Sequence, residues 1–345
     1  MTVNYPTLAF AFNPISIEVT DIGINEPVFI IIPESVVSKQ ITLERQSGTR
    51  KVVFDLQGIA QSIFDRKEFY KVLNQDAILY KKLSFKVKHQ ETIENIEIDI
   101  IWGALQIGEI YTQNKTLTWF KNLPFTFPLY LSQSKQVLAR YDNNQYSPWK
   151  ELDKGKYNLS VPYPDANKKV VIRVNAGNEG GIFDYTFDYT FRGISRDTIL
   201  ISLLVNECTD GVYLRWINKQ GEYCYYLFNT GTESNAISNG DVNIIEHFNS
   251  VESQDNHHIG TNSIQSKDGQ RSVRLFAHLV DKETYIFLES LLESVVIDLF
   301  KGYDENNQPL WIGVNVAPGT SAKDRFNLQD FECSLIYPKT FTQSL

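Results

Sequence analysis

The sequence predicts a mainly β protein built from several antiparallel β-sandwich or barrel domains, with two short helices. Three observations carry that expectation. Apolar residues alternate with polar ones over most of the chain, which is the period of a strand with one buried face. The alternating runs are short and closed by Gly, Pro, Asn or Asp, a pattern that suits hairpins better than parallel strands joined by helices. Only two segments repeat their apolar residues at helical spacing. With 345 residues, 42% of them hydrophobic and 13% aromatic, the chain has material for two or three buried cores.

The first domain is expected over residues 1–103, a β-sandwich with one covering helix. Leu8, Phe10 and Phe12 alternate with small residues, Phe29 to Ile32 ends at Pro33, and Ile41 and Leu43 alternate with Thr42 and Glu44. Leu56, Ile59, Ala60, Ile63 and Phe64 fall on one helical stripe, and Asp55 before them is placed to accept from the amides of the helix start. Leu83 to Lys88 and Ile93 to Trp102 predict a hairpin. Ile96, Ile98 and Ile100 would face its core, with Glu97 and Asp99 in water.

A middle domain or insertion is expected over residues 104–194, rich in aromatics. Strands are predicted at Phe125 to Leu131, Val137 to Tyr141, Tyr157 to Val161 and Val170 to Val174. The doubled unit Phe183-Asp184-Tyr185-Thr186-Phe187-Asp188-Tyr189-Thr190-Phe191 would set five rings on one face of a strand and Asp and Thr on the other. A core strand with a wet back is the expectation. An uncovered aromatic ladder, with Tyr185 and Tyr189 meeting a sugar or partner, is the alternative.

Residues 195–345 predict a C-terminal β domain with one helix. Ile199 to Val205, Val212 to Ile217 and Tyr223 to Phe228 are strands, and Asn218 to Gly221 is a tight turn with Gly where positive φ is needed. Asp281 to Leu292 is the second helix, with Asp281 as cap and Tyr285, Leu288, Leu291 and Leu292 on one stripe. Val295 to Phe300, Leu310 to Val316 and Leu328 to Tyr337 return to strands.

The chemistry carried by the sequence is sparse. A net charge of -8 argues against dedicated or sequence-specific nucleic-acid binding. No run of about 18 apolar residues predicts a membrane span, and Met1 to Phe12 lacks the pattern of a signal peptide. Cys208, Cys224 and Cys333 are too few and scattered for a disulfide framework, fit a reducing compartment, and are expected as buried apolar residues. The five histidines, His89, His247, His257, His258 and His278, match no metal-ligand spacing. Glu289 and Glu293 stand four apart on the second helix as a wet face would have them, and Gly177 to Gly181 fits no nucleotide-binding spacing. No nucleophile elbow or phosphate loop occurs, so no catalytic residue, cofactor or metal is predicted. Trp119 and Trp149, set among Lys, Asn, Ser and Pro, are the candidate ligand-binding aromatics, because flat rings stack on sugars. Trp216 and Trp311 alternate with aliphatic residues and are expected in the core.

Two stretches carry a resemblance. Gly211-Val212-Tyr213-Leu214-Arg215-Trp216-Ile217-Asn218, followed by Gly221 and Tyr223 to Phe228, resembles a segment of β-rich proteins of phages and prophages of Bacteroides-type bacteria. The Phe12-Asn13-Pro14-Ile15 entry and the Asp55 to Phe64 helix fit it. Tyr285 to Leu299, then Trp311 to Val316 and a last strand, is similar to the ending of tail-associated phage proteins. The resemblance implies a structural part of a virion tail or baseplate, assembled in the bacterial cytoplasm, that self-associates into a ring or hub and meets neighbouring tail proteins. A glycan- or surface-binding β-sandwich protein, placed in the cytoplasm if not in a virion, is the alternative.

Overall fold

The computed structural model describes residues 1–65, 79–106, 109–142, 144–161, 169–175, 182–186, 192–196, 198–239, 267–317 and 327–339. Its strands and two helices make the mainly β fold that the alternation predicts. The chain forms two compact units, Met1–Thr209 with Arg215–Tyr226, and Asp210–Leu214 with Leu227–Leu345. This division does not follow the expected cuts after residues 103 and 194. The reason is in the strand pairing, since Thr198–Asn206, expected in the last domain, pairs with both Lys115–Phe120 and Lys169–Asn175.

In the first unit, a five-stranded sheet runs in the order Leu8–Phe10, Thr92–Ile101, Tyr80–His89, Pro27–Ile32, Ile41–Gln46, and a three-stranded one in the order Thr2–Asn4, Ser16–Thr20, Lys51–Asp55. Their inner faces share one core, with Ile17, Val19 and Phe54 from the smaller sheet and Ile30, Leu83, Ile98 and Ile100 from the larger. The predicted hairpin forms, turning between His89 and Thr92 with Gln90 in the left-handed region. The helix is shorter than its stripe, Gln57–Ser62, and begins after Leu56 instead of Asp55. Asp55 still accepts from the Gln57 amide at 3.0 Å, while also accepting from Ile15 at 2.9 Å. One carboxylate oxygen thus fixes both the helix entry and the strand beside it.

A second five-stranded sheet of this unit runs Lys115–Phe120, Thr198–Asn206, Lys169–Asn175, Lys135–Tyr141, Ser147–Leu152, alongside a pair formed by Thr126–Leu131 and Gly155–Ser160. Val137, Ala139, Val170, Ile172, Val174, Ile199, Ile201 and Leu203 make its buried face. Two pairings are parallel, Leu8–Phe10 on Asp99–Ile101 and Lys115–Phe120 on Ile201–Asn206. Purely antiparallel packing is corrected there. Leu8–Phe10 is buried on both sides, with Ala9 in the first core and Leu8 and Phe10 in a second one containing Ile101, Tyr111 and Tyr130. Strands sealed on both faces are where parallel pairing is tolerated.

Of the expected strand through Phe191, Ile182–Thr186 is a strand, paired antiparallel with Arg192–Arg196 with Thr186 opposite Arg192; Phe187 to Phe191 lie outside the described residues, as does the Gly177 to Gly181 turn.

In the second unit, six strands close a barrel in the order Val212–Ile217, Tyr223–Asn239, Lys267–Asp281, Leu328–Ile336, Pro309–Val316, Ile297–Tyr303. The first two of these also run through the first unit. The helix Lys282–Glu293 follows the third strand, with Tyr285, Leu288 and Leu291 buried. Asp281 caps it as predicted, accepting from the Thr284 amide at 2.7 Å. That backbone hydrogen bond holds the Asp281 carboxyl below the usual carboxylate range.

Truncating the cap, Asp281→Ala, is expected to cost about 1 kcal/mol, measured as a shifted denaturation midpoint. Because the folded carboxyl is the stronger acid, the contribution is fully present above the ordinary carboxylate pKa and is lost as pH falls through the lowered folded value. The gap between wild type and variant should therefore close in acid. A gap that stayed constant would show that the cap bond is not made.

Candidate interaction surface

The sequence-predicted aromatics are not gathered into one site. Trp119 is only 4% exposed, so its expected role as a surface ring is corrected. The cause is register, because Trp119 pairs with Val205 in a parallel ladder and shares the buried side. Trp149 is half-buried, its ring 6.2 Å from that of Phe127 and its edge strand neighbour Lys150 lying 5.8 Å over it. Tyr185 is in the strand Ile182–Thr186, opposite Gly193 and Tyr111, and Tyr189 lies outside the described residues. Trp216 and Trp311 are buried as expected. Cys224 and Cys333 are buried too, and burial pushes the Cys333 thiol up to about 12. Cys208 is exposed, contrary to expectation, because the strand ends at Asn206, whose side chain accepts from the Cys208 amide.

Polar chemistry concentrates in two buried clusters. Asp99, read from alternation as a wet residue, is fully buried. Its Oδ1 accepts from Tyr80 at 2.8 Å, and its Oδ2 from Tyr130 at 2.7 Å and from Lys154 at 3.1 Å. Burial first, and then the Asp99 carboxylate beside it, push the Tyr80 phenol well above its ordinary range. Alternation had placed Asp99 with Glu97 correctly on one face; what covers it comes from residues distant in sequence.

The second cluster centres on Glu222, which follows the turn predicted at Asn218 to Gly221. Lys115 donates to both its oxygens at 2.7 and 2.8 Å, and both side chains are shielded from water. Asn218 Oδ1 accepts from the Gln220 and Glu222 amides, and Lys156 donates to the Gly221 carbonyl. Gly221 has φ 69°, and a Cβ there would meet the Trp102 carbonyl oxygen at 2.2 Å. Only glycine fits that approach. In each cluster the carboxylate oxygens are held by donors, an arrangement that fixes side chains in place.

His89 meets Glu26 at 2.6 Å, and this contact, with the Gly23 amide, lowers the Glu26 carboxyl below its usual range. His278 and Asp330 form an exposed pair. His247, His257 and His258 lie outside the described residues. Among the described residues no three His, Cys, Asp or Glu side chains are grouped as metal ligands, and no helix is long and apolar enough to cross a membrane.

The surface that stands out is a ribbon. Tyr223–Asn239 runs 17 residues and Lys267–Asp281 runs 15, far beyond the strand predicted to stop at Phe228. They pair antiparallel from Asn229↔Phe276 to Asn239↔Lys267. The ladder with Leu328–Ile336 begins at Ser272, and just beyond it the Tyr337 amide donates to the Arg271 carbonyl at 2.9 Å and Lys339 meets Asp268 at 3.1 Å. Every residue from Thr232 to Ser238 is exposed. Successive residues of a strand face opposite sides, so both faces are open, with Ile237 at 66%. A register shift between Thr230 and Glu233 marks a bulge at Gly231, where a Cβ would meet the Phe276 ring at 2.2 Å. Ser234 with Ser272 at 2.8 Å and Arg271 with Glu233 at 2.5 Å lace the two strands together. The sequence signal for this element is weak, because a strand open on both faces shows no apolar alternation.

No family model and no curated protein matches the chain. Among solved structures, it is similar to a Ca2+-stabilised adhesin that helps an Antarctic bacterium reach out and bind ice, at 9% identity over 90% of this chain and 72% of that one, with a TM-score of 0.16. A likeness of that size carries no argument about function.

Removing the buried carboxylate, Asp99→Ala, is expected to destabilise the protein by roughly 2–5 kcal/mol, since two phenols and an ammonium lose their shared partner. Asp99→Asn removes the charge and should bring the Tyr80 ionisation down, visible in the alkaline ultraviolet titration of tyrosinate against Tyr80→Phe. An unchanged titration would show that the carboxylate does not act on Tyr80.

Proposed function

We propose that this chain is a structural component that works by assembly and without catalysis, in the tail or baseplate of a phage or prophage-like particle of Bacteroides-type bacteria. In this reading it joins copies of itself into a ring or hub and meets neighbouring tail proteins. The observation that carries the reading is the strand Thr232 to Ser238, exposed on both its sides. A strand exposed along its whole length is a ready site for strand addition by another chain, and Thr232 to Ser238 is such a strand. Keeping one extended and polar is the expected design when a partner supplies the missing strands. Rings demand contacts between unlike patches that close by rotation, and a projecting arm supplies one such patch. The resemblance of Gly211 to Phe228 and of Tyr285 to Val316 to tail-associated proteins gives the particle its name. The alternative of a glycan-binding protein loses Trp119, one of its four candidate rings, to the core.

The test is mass photometry of the purified chain across the micromolar range, beside Ala236→Pro, which removes a backbone donor opposite Gln270, together with peptide mass spectrometry of purified particles. Wild type is expected in closed oligomers and in the particles, and the proline variant as a monomer with an unchanged thermal transition. A chain that stays monomeric and is missing from the particles overturns the reading.

A further inference from the structure

The outer face of the second five-stranded sheet carries Arg140, Arg173 and Lys169, three cations that the described fold does not neutralise. The register sets Arg140 opposite Val171, Leu138 opposite Arg173, Arg173 opposite Leu200 and Lys169 opposite Leu204. The residues between them point into the core, so these share the outward side. The guanidinium carbons of Arg140 and Arg173 lie 4.8 and 5.4 Å from the centroid of the same ring, Tyr146. Among the described residues neither arginine is in an ion pair, and the Nε of each is buried without a hydrogen-bond partner. Arg271 and Arg274 on the barrel pair with Glu233 and Glu332, whereas Arg140 and Arg173 face no carboxylate among the described residues. Two adjacent like charges repel, and an oxyanion held at their terminal nitrogens offsets that repulsion.

We infer that this face docks an acidic, partly apolar segment of another protein, with carboxylates on Arg140 and Arg173. The guanidinium fork accommodates a carboxylate through two parallel hydrogen bonds, and Tyr146 holds both groups before the ligand arrives, which lowers the ordering cost. The flanking surface selects a peptide over a polysaccharide or nucleic acid. Leu200 and Leu204 are each 42% exposed beside the arginines, a surface that matches apolar side chains set between acids. In a chain of net charge -8, a local basic face also supplies the charge complementarity that picks an acidic partner. The inference is independent of the ribbon.

The test titrates the purified full chain with a fluorescein-labelled peptide of alternating glutamate and leucine, read by anisotropy. A glutamine-leucine peptide, an alginate oligosaccharide and single-stranded DNA serve as competitors of other chemistry. Saturable binding is expected for the glutamate-leucine peptide alone, weakened by about tenfold or more in Arg140→Gln/Arg173→Gln. The Arg140→Lys/Arg173→Lys variant should also weaken, because an ammonium lacks the fork. In wild type the peptide should protect both arginines from phenylglyoxal, mapped by mass spectrometry. Absence of saturable binding, tighter binding of alginate or DNA, unchanged affinity in the glutamine variant with a native circular dichroism spectrum, or lack of protection each overturns the inference.

Discussion

A β-sheet has to bury one face and dispose of two edges, and the rest of this structure follows from how that demand is met. Leu8–Phe10 is sealed on both sides, so it tolerates a parallel neighbour. The edge strand Ser147–Leu152 carries Pro148, which withholds a donor from any approaching strand. The barrel removes its edges by closing. The strand from Thr232 to Ser238 is the exception, exposed along its whole length while paired to Lys267–Val273.

Buried polarity supplies the second layer of specification. Asp99 and Glu222 sit where apolar residues would have been simpler, and each is stabilised only if all its donors arrive together. Asp99 draws Tyr80, Tyr130 and Lys154 from three places in the sequence. Glu222 ties its own turn to Lys115, 107 residues earlier. Apolar burial alone tolerates sliding and repacking, whereas these clusters accept a single alignment of their strands.

Local signals in the sequence were legible where one residue type does one job. Asp281 capping its helix, glycine at 221, the Ile96, Ile98 and Ile100 face, and the strand Val212–Ile217 all follow from near-neighbour chemistry. What escaped depends on distant partners. Asp99 looks wet until Tyr130 covers it, and Trp119 looks exposed until Thr198–Asn206 pairs beside it. The division into two units differs from the expected cuts for the same reason, since composition shifts do not report parallel pairing across some eighty residues. Of the interaction surfaces, neither the polar ribbon nor the Arg140 and Arg173 pair has a periodic signature, because both are defined by what they lack.

The path of the chain between its two units has a consequence for how it can be divided. It leaves the first unit at Asp210, returns at Arg215 and leaves again at Leu227. A fragment ending at Thr209 would forfeit Trp216 and Glu222, which belong to the unit it was meant to preserve. Neither unit can therefore be cut out of the chain at a single point.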